Sequence, residues 1–386
     1  NYGSCTVLVY TIDPASGALT AAGTVAARSG PMSTSIAAGG SAVTYLPKAA
    51  YVANAGSNSV SQYTIGTSGA LTPMTLATVA TGTLPRSVIV DPSGKFAYVA
   101  NYSSNSVSAY TIDPVTRALT PASGSPFAAG TSPTAVRIDP SGRFVYVSNY
   151  GWPSFGSVSA YTVNPTTGAL TAIAGSPFAA GNGSSSIDVD PSGRFVYTSN
   201  LLNDTITAYS INPATGALAS IQGLSVTNAR PVSIAADPTG RFVYAATACG
   251  TTWVFGINTA TGVLTRADAD PGGLCGASAN APDSLALDPS GRYLYMTGYD
   301  VMNHVSAQAI DTSAGTLTAV AGSPFSTGNG TNSVTVDLSG KYAYATGSAG
   351  VYQFTIGAVG ALTPMTVATA AAGSSPSSIT TTGTIR

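Results

Sequence analysis

Asp91-Pro92-Ser93-Gly94-Lys95-Phe96-Ala97-Tyr98-Val99-Ala100-Asn101 is the stretch from which the fold is read. Its first four residues are turn chemistry: Asp accepts a backbone N–H, Pro fixes φ, and Gly takes a conformation that other residues avoid. The seven that follow alternate aromatic or β-branched residues with small ones, as a strand does. The same turn, or a near relative, recurs at Asp139, Asp190, Asp237 (with Thr239 for Ser), Asp288 and Asp337 (with Leu338 for Pro), at spacings of 48, 51, 47, 51 and 49 by subtraction. Each is followed by a base and an aromatic: Lys95-Phe96, Arg143-Phe144, Arg194-Phe195, Arg241-Phe242, Arg292-Tyr293, Lys341-Tyr342. A seventh copy has lost the turn but keeps Lys48-Ala49-Ala50-Tyr51-Val52-Ala53-Asn54.

Working outward, each copy reads as four short strands, here A to D: 87–90 before the turn, 96–100 after it, 107–112, and 118–121 with the Ser-Pro-Phe beyond. A period near fifty residues with four strands per unit is that of a β-propeller blade. Residues 1–13 align with 101–113, and 377–386 align with 332–342, so the two ends read as fragments of one further blade. Seven internal copies and this shared blade give an all-β, closed propeller of eight four-stranded antiparallel blades, with seven as the alternative. The N- and C-terminal segments share one blade, and residues 1–386 form a single domain. Sharing a blade removes the two open sheet edges that an unclosed array would expose.

Composition narrows the function. Charged residues make up 8% of the chain, against about 25% ordinarily, and all fifteen acidic residues are Asp. With fourteen bases there is no concentrated basic face for nucleic acid. No apolar run approaches the roughly twenty residues of a membrane span. The periodicity, together with 44% hydrophobic residues, excludes a disordered low-complexity chain.

Tyr98-Val99-Ala100-Asn101, Tyr146-Val147-Ser148-Asn149 and Tyr51-Val52-Ala53-Asn54 resemble the YVTN repeat, and the whole unit resembles the lactonase-type β-propeller family that includes 6-phosphogluconolactonases. The resemblance implies a propeller, seven-bladed in known lactonases, and a lactone hydrolase as one activity. It equally embraces exported or surface YVTN proteins without an assigned reaction.

Subtracting the repeat leaves few residues for chemistry. B–C and D–A loops open on one face of such a ring, A–B and C–D turns on the other. The loop face collects Trp152, Asp204, Tyr299, Asp300 and the single histidine, His304, as candidate binding residues. Asp268 and Asp270 are weak candidates for Ca²⁺, because the rest of a calcium loop is missing. Cys249 and Cys275 flank one blade and are expected to form a disulfide, leaving Cys5 over. Arg137 and Asp188 each stand two positions before a turn Asp, where sister copies carry Ile89, Ala235, Ala286 and Thr335, and are expected to pair in the central channel. No nucleophile motif, metal cage or phosphate cradle emerges. The expectation is a non-catalytic, secreted or cell-surface module with its signal peptide removed, without cofactor, acting by self-association or by binding other surface proteins; lactone hydrolysis is the alternative.

Overall fold

Each turn Asp serves as the acceptor for the turn it opens. Oδ1 of Asp91 takes the N–H groups of Lys95 and Phe96 at 2.7 and 2.6 Å, and Oδ2 takes the N–H and hydroxyl of Ser93. Asp139, Asp190, Asp237, Asp288 and Asp337 repeat the arrangement around Phe144, Phe195, Phe242, Tyr293 and Tyr342. All six carboxylates are buried, and the Gly of each turn has a positive φ.

These turns join strands A and B of four-stranded antiparallel sheets. The computed structural model describes residues 6–12, 19–26, 45–226, 229–248, 250–267, 282–298, 303–327 and 330–385. Seven blades are seen. Their A strands, in blade order, are Pro376–Ile385, Pro85–Val90, Pro133–Ile138, Ser184–Val189, Pro231–Ala236, Pro282–Leu287 and Thr331–Val336. The B strands are Tyr45–Asn54, Phe96–Asn101, Phe144–Asn149, Phe195–Asn200, Phe242–Thr247, Tyr293–Gly298 and Tyr342–Gly347. Each A strand touches the A strand of the next blade, and that of blade 7 touches that of blade 1, so the A strands form the innermost ring.

The count is therefore seven, the alternative, and not eight. Residues 376–385 do not turn into a strand B of their own. They run on as one strand antiparallel to Tyr45–Asn54, from Asn54↔Pro376 to Tyr45↔Ile385, and become strand A of the copy that has no turn before it. The seventh copy and the broken blade are one object. A blade shared between an early and a late segment closes the ring, but its early strands are Tyr45–Asn54, Ser59–Ile65 and Leu71–Ala80. They are not the segment 1–13 that the repeat alignment placed there; Thr6–Ile12 pairs with Leu19–Ala26 instead. Residues 1–44 form a separate compact unit containing the hairpin of Thr6–Ile12 with Leu19–Ala26, which has a register shift between Val9 and Tyr10.

One side chain ties each blade to the next. Tyr51, Tyr98, Tyr146, Tyr197, Tyr244, Tyr295 and Tyr344 of the B strands are buried. Their hydroxyls donate to a C–D turn carbonyl of the following blade: Arg117, Gly168, Gly216, Gly262, Gly315, Gly360 and Gly69, at 2.6 to 3.3 Å. The set closes on itself, since Tyr344 of blade 7 reaches Gly69 of blade 1. Where the preceding blade presents an aromatic, the C–D turn lies so close that a side chain is excluded: a β-carbon on Gly168 would come within 2.4 Å of the Phe96 ring, whereas Arg117 is accommodated because blade 1 has Ala49 in place of that aromatic. Nearer the axis, Ser378, Ser87, Ser186, Ser233 and Ser284 accept the N–H of Val88, Val136, Ile234, Leu285 and Val334 in the next A strand at 3.2 to 3.4 Å. Blade 3 has Ala135 at this position.

Candidate functional site

The A–B turn face is spent on structure. The guanidinium groups of Arg143, Arg194, Arg241 and Arg292 lie 4.7 to 5.5 Å from the ring centre of the aromatic that follows each. Arg143, Arg194 and Arg241 also donate to Ala214, Thr259 and Thr312 carbonyls in the C–D turn of the next blade. The recurrent base is thus a clamp between blades. A cavity of about 290 Å³ between blades 4 and 5, bounded by Asp190, Arg194, Phe195, Pro238 and Thr259, is a cleft left by these repeated contacts.

The repeat breaks on the A strands of blades 3 and 4. Arg137 and Asp188 stand opposite Tyr146 and Tyr197, the register position held elsewhere by Ile89, Ala235, Ala286, Thr335 and Thr380. Nε of Arg137 lies 3.2 Å from Oδ1 of Asp188, the only ion pair among the described residues. Nη1 of Arg137 donates to the Val136 carbonyl at 3.0 Å, and Oδ2 of Asp188 accepts the Ala236 N–H at 2.9 Å, so the pair ties blades 3, 4 and 5. Burial pushes the Asp188 carboxyl above the usual range, opposed by Arg137 and by backbone N–H groups. The two side chains keep 31% and 20% of their surface, so water reaches both. Nη2 of Arg137 makes no hydrogen bond among the described residues.

The loop face disperses the candidates placed there. Asp204, at φ 51°, accepts the Arg230 N–H at 2.7 Å, as Asn58, Asn105 and Asn303 do for Leu84, Ser132 and Gly330. It is a loop staple. His304 opens strand C of blade 6, half-buried, and loss of water lowers its imidazole below the ordinary value. No hydrogen bond or ion pair among the described residues joins it to Asp204 or Trp152. Trp152 is exposed in the B–C loop of blade 3. Tyr299, Asp300, Asp268, Asp270, Cys5, Cys249 and Cys275 lie outside the described residues.

Sequence reasoning missed a second group on this face. The Arg86 guanidinium lies 5.2 Å from the centre of the Tyr102 ring. Burial raises the Tyr150 phenol, Tyr102 raises it further, and Arg230 lowers it. Both arginines are exposed, and Arg230 holds φ 46° where the corresponding residues before Ser184 and Thr331 are Gly183 and Gly330. The available signal was Tyr at the position after the repeat Asn, at Tyr102 and Tyr150 and, outside the described residues, at Tyr2.

Among the described residues, a seven-bladed ring carries one ion pair on its inner strands and an arginine–tyrosine pair on its loop face. The sequence matches the family described as "Lactonase, 7-bladed beta-propeller" over residues 4–129 and 170–275, and the chain belongs to that family. The expectation of a non-catalytic module is corrected by this match: the family is one of lactonases, and the alternative reading stands in its place. No curated protein matches the sequence. Among solved structures, a candidate 6-phosphogluconolactonase of Bacteroides uniformis superposes with a TM-score of 0.73 at 18% identity, covering 87% of this chain and 99% of its own. The periplasmic gluconolactonase of Pseudomonas aeruginosa gives 0.72 at 19%, covering 87% and 99%. Hydrazine synthase of Kuenenia stuttgartiensis gives 0.61 at 21%, covering 80% and 92%. At such identities the likeness is one of fold, and the fold serves unrelated reactions.

Proposed function

We propose that the protein hydrolyses lactones in the propeller channel, with Arg137 and Asp188 as the reacting pair. The observation that carries this reading is the pair itself, which places opposite charges at a register position that is neutral in the other five blades, within a chain of the lactonase family. Ester hydrolysis needs a donor for the oxyanion and a base for water. The free Nη2 of Arg137 supplies the first. The Asp188 carboxylate supplies the second, its proton affinity raised by burial toward that of a working base. Water adds to the lactone carbonyl carbon while its proton passes to Asp188. The bond from that carbon to the ring oxygen then breaks, the proton goes to the departing oxygen, and a hydroxy acid results.

The test is proton release from glucono-δ-lactone and 6-phosphogluconolactone followed in a pH-stat. Turnover is expected in the native protein, with a rising limb as Asp188 ionises. Both Arg137→Ala and Asp188→Asn should fall by at least about a hundredfold, the weight of one positioned acid or base. Full activity in either variant removes the pair from the mechanism.

A further inference from the structure

The B–C loop of blade 3 is the longest described departure from the repeat on this face. Four residues separate strands B and C in blades 1, 2 and 4; seven do so in blade 3, from Tyr150 to Gly156. The loop carries two aromatic side chains turned to solvent, Trp152 at 62% and Phe155 at 81% exposure, and Leu202 of blade 4 adds a third apolar group on the same face at 40%. Insertions in a repeat array commonly lie on its binding face.

This loop is set in place. Gly151 holds φ 81°, and a β-carbon there would come within 2.2 Å of the Phe155 carbonyl oxygen. A β-carbon on Gly156 would come as close to the Gly181 oxygen and within 3.1 Å of Ser184, the first residue of blade 4's inner strand. The Gly156 carbonyl accepts the Ala180 N–H at 3.0 Å, and the N–H groups of Tyr150 and Gly151 are held by Ser132 and Thr131. Stability alone does not explain the arrangement. The Ser184 hydroxyl beneath is fully buried with no hydrogen-bond partner among the described residues, while the two largest apolar side chains of the loop face outward. The loop lies in residues 130–169, between the two matched family segments.

We infer that Trp152 and Phe155 form a stacking platform for a neutral sugar ring, and that the lactone taken by this channel is the terminal unit of an oligosaccharide. The inference rests on the lactone-hydrolase reading above and names its substrate class. Position gives the length: Ser184, against which Gly156 at the end of the loop packs, is four residues from Asp188 along one strand, roughly 13 Å at the rise of a β-strand. A single lactone ring at the pair does not reach the aromatics; a substrate with further sugar units does. Charge gives the chemistry. The cations described on this part of the face are Arg86, engaged with Tyr102, and Arg230, both exposed. A phosphate needs several convergent donors, whereas the C–H face of a pyranose needs an open aromatic surface.

The experiment compares kcat/KM for cellobiono-δ-lactone, glucono-δ-lactone and 6-phosphogluconolactone, and titrates Trp fluorescence with cellotriose, glucose and glucose 6-phosphate. Trp253 is buried, so the exposed Trp152 carries the response. The disaccharide lactone is expected to be preferred by about tenfold, the weight of one good ring contact. The preference should shrink to within about twofold in the Trp152→Ala, Phe155→Ala double variant and largely persist in Trp152→Phe. Saturable quenching by cellotriose with no lactone turned over would uphold the platform and reject the hydrolase. A preference that survives the double variant, tighter binding of glucose 6-phosphate than of cellotriose, or Trp152-dependent self-association without a saccharide response would each overturn the platform.

Discussion

On the A–B turn face, six Asp carboxylates are buried under the same backbone donors, and four Arg side chains lie over the aromatic next in sequence. On the inner strands and loops of blades 3 and 4, one position alone holds a carboxylate beside a guanidinium, and one loop alone is lengthened with its aromatics exposed. The first region shows that a polar group repeated once per blade belongs to the fold. The second shows that, in a molecule with so little charge, departures from the repeat are where chemistry is to be sought.

The comparison breaks if the turn carboxylates prove dispensable. Asp190→Ala leaves buried N–H groups of Arg194 and Phe195 without their acceptor, so a loss of about 3 kcal/mol is expected in urea unfolding, with activity per folded molecule retained. Next in size is Arg137→Ala. Both partners are partly solvated, which reduces the cost of an orphaned charge to about 1–2 kcal/mol, and the effect depends on pH. The Asp188 carboxyl is raised in the folded state, so this group favours folding fully below the ordinary carboxylate range and that contribution declines as pH rises through its shifted value. Without Arg137 the carboxyl rises further. The variant should therefore lose more stability relative to the native chain at about pH 7 than at about pH 4, read from urea midpoints. An equal loss at both would mean that Asp188 does not feel the guanidinium.

Smaller effects sharpen the same contrast. Tyr197→Phe deletes one of seven equivalent blade ties, from its hydroxyl to the Gly262 carbonyl, and is expected to cost about 1 kcal/mol, measured as a shift in urea midpoint. Ala135→Ser restores to blade 3 the hydroxyl that five described copies direct at the next strand, placing an acceptor for the Ile187 N–H. It should stabilise by about 0.5 kcal/mol; destabilisation would show that the small residue makes room for something in the channel.

The repeat was legible because turn chemistry is local: Asp, Pro and Gly announce themselves at fixed offsets. Blade number was not, because the strand Pro376–Ile385 finds Tyr45–Asn54 through backbone hydrogen bonds, which leave no mark on residue identity, and its end carries no turn to count. Arg137 and Asp188 stood out as charges at positions where sister copies have neutral side chains, and the structure joins them. Arg86, Tyr102, Tyr150 and Arg230 did not. Arg86 and Tyr102 meet across the strand A and B–C loop of one blade, and Tyr150 and Arg230 belong to two others, so no fixed sequence offset joins the four.

Closure of the ring by its last strand also sets a clock. From Asn54 to Pro376, its partner in blade 1, the ribosome must add 322 residues by subtraction, about 15–65 s at roughly 5–20 residues per second. For that interval the inner edge of Tyr45–Asn54 has its donors and acceptors unmet, beside blades that complete one after another. A nascent chain in this state is a template for the A strand of a neighbouring chain on the same message. Crowded translation should therefore favour ring-swapped dimers, and slower initiation should favour monomers.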